Sequence, residues 1–552
     1  MISYDEDDYV SLFDNLQLED HEEVEENIML MAYYHLNTID CFNYPESIVC
    51  NRFDAELALM QLNEEYLSEF RIALFDHAKH KLEFSCNSSN KSDMDFDLCT
   101  LFYEFICGTM VYSGNSVWYF NGIRWVKSDG DHYIWNKIHV TFKNYLCNTP
   151  SLHSASVYLD RKTTRDKILS DIKKRIYYPD FQSKLDSRRD IIGVSNGVLE
   201  LHTGILRKGK LSDFISKSTD TRYIPHSMES REIVILLKML RKVFPIEDLL
   251  HFFIRSCSTF LEGENSKKVF YVWWGSGNNC KTGMATLVQA ALGNYCATAP
   301  VSLITSKRGS SSEATPEMCH IEGKLVVFLQ EPNPKEKIKT GRIKELTGND
   351  KVFVRNLYQS GREIDVKCKI VHVCNFPTAG PDNDKAFKRR MKVIKFPSTF
   401  LEQSEYNSYK EKGILEQYMY RVQDNIDQKF KLLGSAFLSL MLWEYQVFKE
   451  VGLQTPEIVE KNTEEFLTYN NIILKFIRQQ LKHERGAGEV DINQLYETFK
   501  VWTRAYYPSY NIPNLEAFIK ELHDEGFQDD NGDGIIKNIL IMEESASILL
   551  SY

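Results

Sequence analysis

Val269-Phe270-Tyr271-Val272-Trp273-Trp274-Gly275-Ser276-Gly277-Asn278-Asn279-Cys280-Lys281-Thr282-Gly283 decides how the chain is read. The apolar run up to Trp274 has the composition of a buried strand, and Met284 to Leu292 suits a helix, so the order is strand, tight loop, helix. That order fits a phosphate-binding loop, in which backbone N–H groups and a helix N-terminus face one concavity and stabilise polyphosphate oxygens. In the pattern GxxxxGK[ST] the lysine reaches the β- and γ-phosphates and the hydroxyl holds Mg²⁺. Those roles fall to Lys281 and Thr282, with Gly275, Ser276, Gly277, Asn278, Asn279, Cys280 and Gly283 as the backbone cradle. The glycine normally placed just before the lysine is Cys280. Taken alone, a Gly/Asn-rich turn beside a chance lysine accounts for the same string.

The context argues against chance. Lys324 to Gln330 reads as a buried strand that delivers a carboxylate, Glu331, where a nucleotide hydrolase needs a group to hold the metal's water or polarise the attacking one. A third strand, Lys369 to Cys374, delivers Asn375, an amide suited to orienting water or sensing a γ-phosphate. Phe387-Lys388-Arg389-Arg390 then supplies fixed positive charge before another strand, Lys392 to Phe396. Between the second and third strands, Gly348 to Asp350 is turn chemistry and Lys351 to Leu357 has strand composition, so a hairpin bearing Lys351 and Arg355 is expected.

With these pieces in place, residues from about 100 to 400 resemble a superfamily 3 helicase of the poxvirus-type and large-DNA-virus primase-helicases, an AAA+ ATPase class. The resemblance rests on GSGNNCKT, VVFLQEP, KELTGNDKVFVR, VCN and FKRRMKVIKFPSTF. Upstream, Asn196 to Leu201 with Gly204, then Ser216 to Thr219, resemble the domain preceding the ATPase in that family. The resemblance implies an α/β AAA+ P-loop core that uses ATP and Mg²⁺. Lys281, Glu331 and Asn375 would act at the nucleotide, Thr282 and Glu331 at the metal, and Arg389 or Arg390 at a neighbouring subunit's nucleotide. It further implies a homo-hexameric ring whose pore hairpin, through Lys351 and Arg355, grips single-stranded or forked DNA and moves 3′ to 5′. Primase, polymerase or processivity-factor partners are implied too, at viral replication sites in host cytoplasm or nucleus. Two positions depart from the family pattern: Cys280, and Gln330, which sits where many relatives carry the first of two acids. They keep a second reading open, a weakly catalytic nucleotide-binding ring or scaffold that recruits replication proteins.

Size and composition set the outer bounds. A chain of 552 residues with 43% hydrophobic content has room for three or four domains. Its longest apolar-rich run, Leu432 to Trp443, is shorter than a membrane span, and no export signal is expected. Twelve cysteines without a CxxC pair suit a reducing compartment and predict no disulfides. The net charge of −11 is local: residues 1 to 51 hold thirteen acids and no Lys or Arg, and the remainder carries +2. A basic channel is therefore allowed.

The expected layout is an acidic, largely helical region over 1–97, a helicase-associated domain over 98–230 and the ATPase with its preceding helices over 231–400. A helical segment over 401–460 and a winged helix over 461–552 complete it. Trp118 to Trp125 predicts a hairpin turning at Asn121-Gly122, its aromatics more often core than base-stacking. Arg161 to Arg165 and Lys173 to Arg175 are candidate phosphate contacts or a solvated helix face. Asp93-Met94-Asp95 looks superficially like the metal pair of a primase, but too little chain is available for a polymerising domain and a loop is expected there. Phe437-Leu440-Met441-Tyr445-Phe448 predicts an amphipathic helix behind the ATPase core. In the last domain a helix is expected over Phe466–Leu481 and a strand pair flanking Asp529 to Gly534. That turn mimics a calcium loop until Leu540 stands where a bidentate Glu is required.

Overall fold

The computed structural model describes residues 64–88, 93–106, 108–306, 315–330, 337–349, 351–355, 361–377, 385–423, 425–469, 471–484, 486–508, 510, 512–529 and 534–542. The acidic stretch at the start of the chain and Glu331 lie outside the described residues. The chain divides into two units, one running to Arg188 with Asn196–Val198 and Arg207–Lys217, the other holding the remainder.

In the first unit, α1 (Glu64–Asn87) and α2 (Met94–Ile106) pack together with α3 (Lys162–Arg175). Leu82, Leu98, Phe102, Phe142 and Ile172 are fully buried in their shared core. The domain break expected at residue 97 therefore runs through a core: the polar patch that suggested it holds the end of one helix and the start of the next. Asp95 and Asp97 fall in the first turn of α2, where carboxylates meet the positive end of the helix dipole. Asp95 receives the Lys167 ammonium at 2.6 Å. Asp97 accepts a hydrogen bond from Ser85, and burial raises its pKa. These carboxylates start a helix rather than line a loop. Among the described residues no group of three His, Cys, Asp or Glu could hold a metal ion.

Strands β1 (Met110–Ser113), β2 (Ser116–Phe120) and β3 (Trp125–Lys127) form an antiparallel sheet in that order. The turn from β2 to β3 is held by Asn121, whose Oδ1 accepts from the N–H groups of Ile123 (3.0 Å) and Arg124 (2.9 Å). Gly122 there takes φ of 93°, a value that favours glycine. Trp125 is wholly buried and its indole N–H donates to Leu211 O at 3.0 Å, so this ring is core. The basic residues nearby also have partners. Lys173 meets Asp131 at 2.5 Å, Arg175 meets Asp171 at 3.1 Å, and Arg161 lies 4.7 Å over the Tyr158 ring.

In the second unit, α4 (Arg231–Val243) and α5 (Glu247–Ser258) precede a five-stranded parallel sheet. Its strands are β4 (Phe270–Trp274), β5 (Cys296–Pro300), β6 (Val326–Gln330), β9 (Lys369–Cys374) and β10 (Met391–Lys395), in the order β10-β4-β9-β6-β5. An antiparallel hairpin, β7 (Lys351–Val354) and β8 (Arg362–Asp365), leaves the chain between β6 and β9. Period-two alternation sends Tyr271 and Trp273 into one core and Phe270, Val272 and Trp274 into the other, which explains why β4 reads as an unbroken apolar run.

Helix α6 (Lys281–Leu292) follows β4, while α7 (Thr340–Thr347) and α8 (Lys385–Arg390) precede the hairpin and β10. Beyond the sheet, α9 (Ile426–Leu432) and α10 (Gly434–Val451) pack against α6. Phe437, Met441, Tyr445 and Phe448 share a core with Met284, Leu287 and Val288, so the expected amphipathic helix packs behind α6. The approach is close at Gly434, where a side chain would come within 2.5 Å of Ala290 O.

The helix expected over Phe466–Leu481 is two helices, α11 (Glu457–Thr468) and α12 (Ile472–Gln480). Asn471 caps α12 by accepting from Leu474 N at 3.1 Å, a strong start signal that splits the run. Phe466 of α11 belongs to the sheet's core and packs edge-on against Trp274 at 5.7 Å, so this helix stays with the sheet instead of opening a new domain at residue 461. After it, α12, α13 (Ile492–Tyr506) and α14 (Leu515–Asp524) enclose Phe476, Phe499, Trp502 and Phe518. Four short strands complete the segment: β11 (Leu481–His483), β12 (Glu489–Asp491), β13 (Ile535–Lys537) and β14 (Ile539–Ile541). The last two do not flank the acidic run Asp529 to Gly534 as a pair. Both follow it, β13 pairing with β12 and β14 with β11, because Asn538 at φ 57° separates them.

Candidate functional site

Register places three strand ends level with one another. Trp274 pairs with Cys374 and Gln330 with Val373, so β4, β9 and β6 finish on one rim of the sheet. From that rim emerge the loop Gly275–Cys280 and Asn375, which is half-buried. Gly275 N donates to Cys374 O at 3.4 Å, tying the loop's first residue to the end of β9. At its far side the loop is pinned by Phe400 N, which donates to Asn278 O at 2.7 Å.

The loop turns through three left-handed residues, Gly277 (φ 102°), Asn278 (φ 48°) and Cys280 (φ 67°). Glycine and asparagine tolerate this region. Cysteine does not, and the strain is about 1–3 kcal/mol. The departure noted in the sequence therefore falls where the backbone conformation favours glycine. Burial pushes the Cys280 thiol up to about 12, and the nearby Asp427 carboxylate adds to the shift. Its Sγ packs over Gly283, where an added Cβ would lie 2.7 Å from the sulfur and 2.8 Å from Phe430. Gly283 is thus fixed by close packing in the first turn of α6.

Lys281 is only 6% exposed. Its ammonium donates to Gly275 O at 2.8 Å and to Asn279 Oδ1 at 2.7 Å, so the loop folds around the lysine. The Nδ2 of Asn279 is buried and has no hydrogen-bond partner. It also fills the space that a side chain at Gly275 would need. A buried ammonium, an orphaned amide donor and the N-terminus of a twelve-residue helix thus lie within one short loop and the helix turn that follows it. The set fits a polyphosphate, for which every one of these groups is a donor. Thr282 is exposed beside it, so its hydroxyl is available to a metal or to water. Gln330 is exposed at the end of β6, while Glu331 falls outside the described residues.

Arg389 and Arg390 are elsewhere. They end α8 just before β10, and Met391 pairs with Phe270 at the start of β4, so the arginines lie on the opposite rim of the sheet. A five-residue strand separates the rims by roughly 13–17 Å. Arg389 is exposed and lines a cavity of about 270 Å³ with Lys388, Lys392 and Arg478 opposite Glu460 and Glu464. Nη1 of Arg390 is buried without a hydrogen-bond partner. Lys351 and Arg355 are both exposed on the hairpin, whose inner residues Val352, Val354 and Ile364 pack into the sheet's second core. The fold thus gathers the loop, Lys281 and Asn375 at one rim and keeps the two arginines at the other.

Two further buried groups are marked faintly or not at all in the sequence. Lys369, at the start of β9, is 2% exposed and pairs with Glu262 at 3.0 Å, while burial lowers its pKa. His372 lies wholly inside the sheet, and burial holds its pKa near 4, so it is neutral at physiological pH. A lysine opening a Val/Ile-rich strand is the one trace of the first. Nothing local marks the second.

Residues 100–245 match the family described as D5 N terminal like. A "Putative helicase" of Acanthamoeba polyphaga mimivirus is 27% identical over 428 residues, 73% of this chain and 44% of the relative. A "Putative helicase" of Frog virus 3 is 23% identical over 410 residues, covering 62% and 42%. A "Putative primase" of African swine fever virus (isolate Warthog/Namibia/Wart80/1980) is 23% identical over 338 residues, covering 59% and 34%. The chain spans less than half the length of these relatives.

Proposed function

Since the chain belongs to the D5-type helicase family of large DNA viruses, we propose that it is an ATP-dependent DNA helicase that moves 3′ to 5′ as a homo-hexameric ring during viral genome replication. The observation that carries this reading is the meeting of the loop around Lys281 with the ends of β6 and β9 at one rim of a parallel sheet. Phosphoryl transfer asks mainly for positioning and charge neutralisation, which an ammonium and a helix N-terminus held in one loop can supply.

In this reading the loop amides and Lys281 hold the β- and γ-phosphates, and ATP binding draws the ammonium from Gly275 O and Asn279 toward phosphate oxygen. The freed Asn279 amide gains a partner. Asn375 orients the attacking water or senses the γ-phosphate, and Glu331 polarises that water. Thr282 and Glu331 would hold Mg²⁺, which neutralises phosphate charge when bound. Arg389 or Arg390 acts on a neighbouring copy's nucleotide, because its own lies across the sheet. An arginine supplied that way contributes about 10³- to 10⁵-fold in rate. Lys351 and Arg355 contact the DNA strand, and the C-terminal helices with their two short ladders serve as a winged helix for duplex DNA or protein.

The test is DNA-stimulated ATP hydrolysis in the parent and in Lys281→Ala, together with unwinding of forks carrying a 3′ or a 5′ tail. Stimulated hydrolysis lost in the variant, with unwinding on the 3′ tail, is expected. A second reading, a weakly catalytic nucleotide-binding scaffold for replication proteins, is favoured by the strained Cys280 and by Gln330 at the end of β6. Hydrolysis absent from parent and variant alike would establish it. On either reading, primer synthesis from nucleotides on an unprimed template gives no product.

A further inference from the structure

We infer that the hairpin binds single-stranded nucleic acid chiefly by stacking a base on Phe353, with Lys351 and Arg355 in a lesser role. The inference rests on the helicase reading and names the contact that reading leaves open. Along β7 and the residue after it exposure alternates: Lys351, Phe353 and Arg355 are exposed, and Val352 and Val354 are buried. Phe353 is 46% exposed although it lies in the middle of a strand. Three atoms of its ring crowd the space that a side chain at Gly361 would occupy, so the ring reaches diagonally across the hairpin and rests on bare backbone. A ring supported on one side and open to solvent on the other is a stacking platform, and every base offers it a π-face.

Charge on the same face argues that stacking dominates. Register sets Asp365 opposite Lys351 and Glu363 opposite Phe353, both exposed, and Asp365 also meets Lys367 at 3.5 Å, so two acids offset most of the charge of Lys351, Arg355 and Lys367. The platform is also held firmly. Thr315 fixes both backbone groups of Arg355, accepting from its N–H at 3.2 Å and donating to its carbonyl at 2.8 Å. Arg362 at the start of β8 is clasped by both oxygens of Glu322.

The experiment titrates a labelled oligothymidylate with the full chain at several salt concentrations, comparing Phe353→Leu, Phe353→Trp and Lys351→Ala, with thermal midpoints as the folding check. Leucine still covers Gly361 but offers no π-face. Phe353→Leu should weaken binding about ten-fold at every salt concentration with the salt slope unchanged, and Phe353→Trp should bind at least as well as the parent. Lys351→Ala should instead flatten the log–log salt slope by about 0.7. An oligonucleotide carrying 5-iodouracil should photocrosslink to the peptide containing Phe353. Parent-like binding by Phe353→Leu beside weakened Lys351→Ala would overturn stacking while leaving the helicase reading intact. Equal losses in Leu and Trp would reduce Phe353 to a structural brace. No binding by the parent would remove both readings together.

Discussion

The loop at Gly275–Gly283 and the hairpin at Lys351–Asp365 solve opposite problems with similar residues. Each carries glycine and a lysine, yet Lys281 is buried among loop oxygens while Lys351 is exposed on a strand. The loop turns its lysine inward, onto Gly275 O and Asn279 Oδ1. The hairpin turns an aromatic ring and charged side chains outward, which on the proposed reading suits a polymer that must slide past. On that reading a cation's burial, more than its identity, separates the two tasks.

The largest effect that sharpens this contrast is expected from Lys281→Ala. ATP turnover should fall on the order of 10²- to 10³-fold, since an oriented charge at the transferring phosphoryl group is lost. A fall of less than ten-fold would mean that the loop does not hold the phosphates. Next, Gly283→Ala must displace Cys280 Sγ or Phe430. Overpacking of this kind costs about 1–3 kcal/mol, readable as a lower thermal midpoint and weaker nucleotide binding. An unchanged midpoint would show that the first turn of α6 has room to spare. Cys280→Gly should act in the other direction, relieving strain of about 1 kcal/mol or more at a left-handed residue and raising the midpoint. A lower midpoint would mean that the packing of Sγ outweighs the backbone.

The smallest effect is chemical. Only the thiolate is nucleophilic, and the Cys280 thiol is held up at about 12, so alkylation at neutral pH should be slow. Its rate should climb about ten-fold per pH unit with no plateau between pH 7 and 10, while exposed Cys147 reacts first. Peptide mapping of the alkylated chain decides it, and rapid labelling of Cys280 at pH 7 would contradict the buried placement.

Much of the sheet was legible because its strands are buried on both faces and read as continuous apolar runs: Phe270–Trp274, Val326–Gln330 and Lys369–Cys374. The loop between strand and helix was legible for the same reason, bracketed by unmistakable elements. What escaped depended on partners distant in sequence. Nothing near Phe466 indicates that it packs on Trp274, so the sequence alone groups α11 with the helices that follow it. The polar run before Leu98 has the composition of a linker and is instead a helix start, because Asp95 and Asp97 suit the first turn. The left-handed backbone at Cys280 was visible only as a missing glycine; its φ could not be read from composition. The pairing of Lys369 with Glu262 spans more than a hundred positions and left no local mark.

The sheet's polarity has one last consequence. With Lys281 on one rim and Arg389 and Arg390 on the other, each copy would, on the proposed reading, contribute half of two different hydrolytic centres. Two inactive preparations, Lys281→Ala and the Arg389→Ala/Arg390→Ala double variant, should therefore regain turnover on mixing, because some junctions then join an intact lysine to an intact arginine pair. The genetics of such an assembly would show complementation between lesions within a single gene.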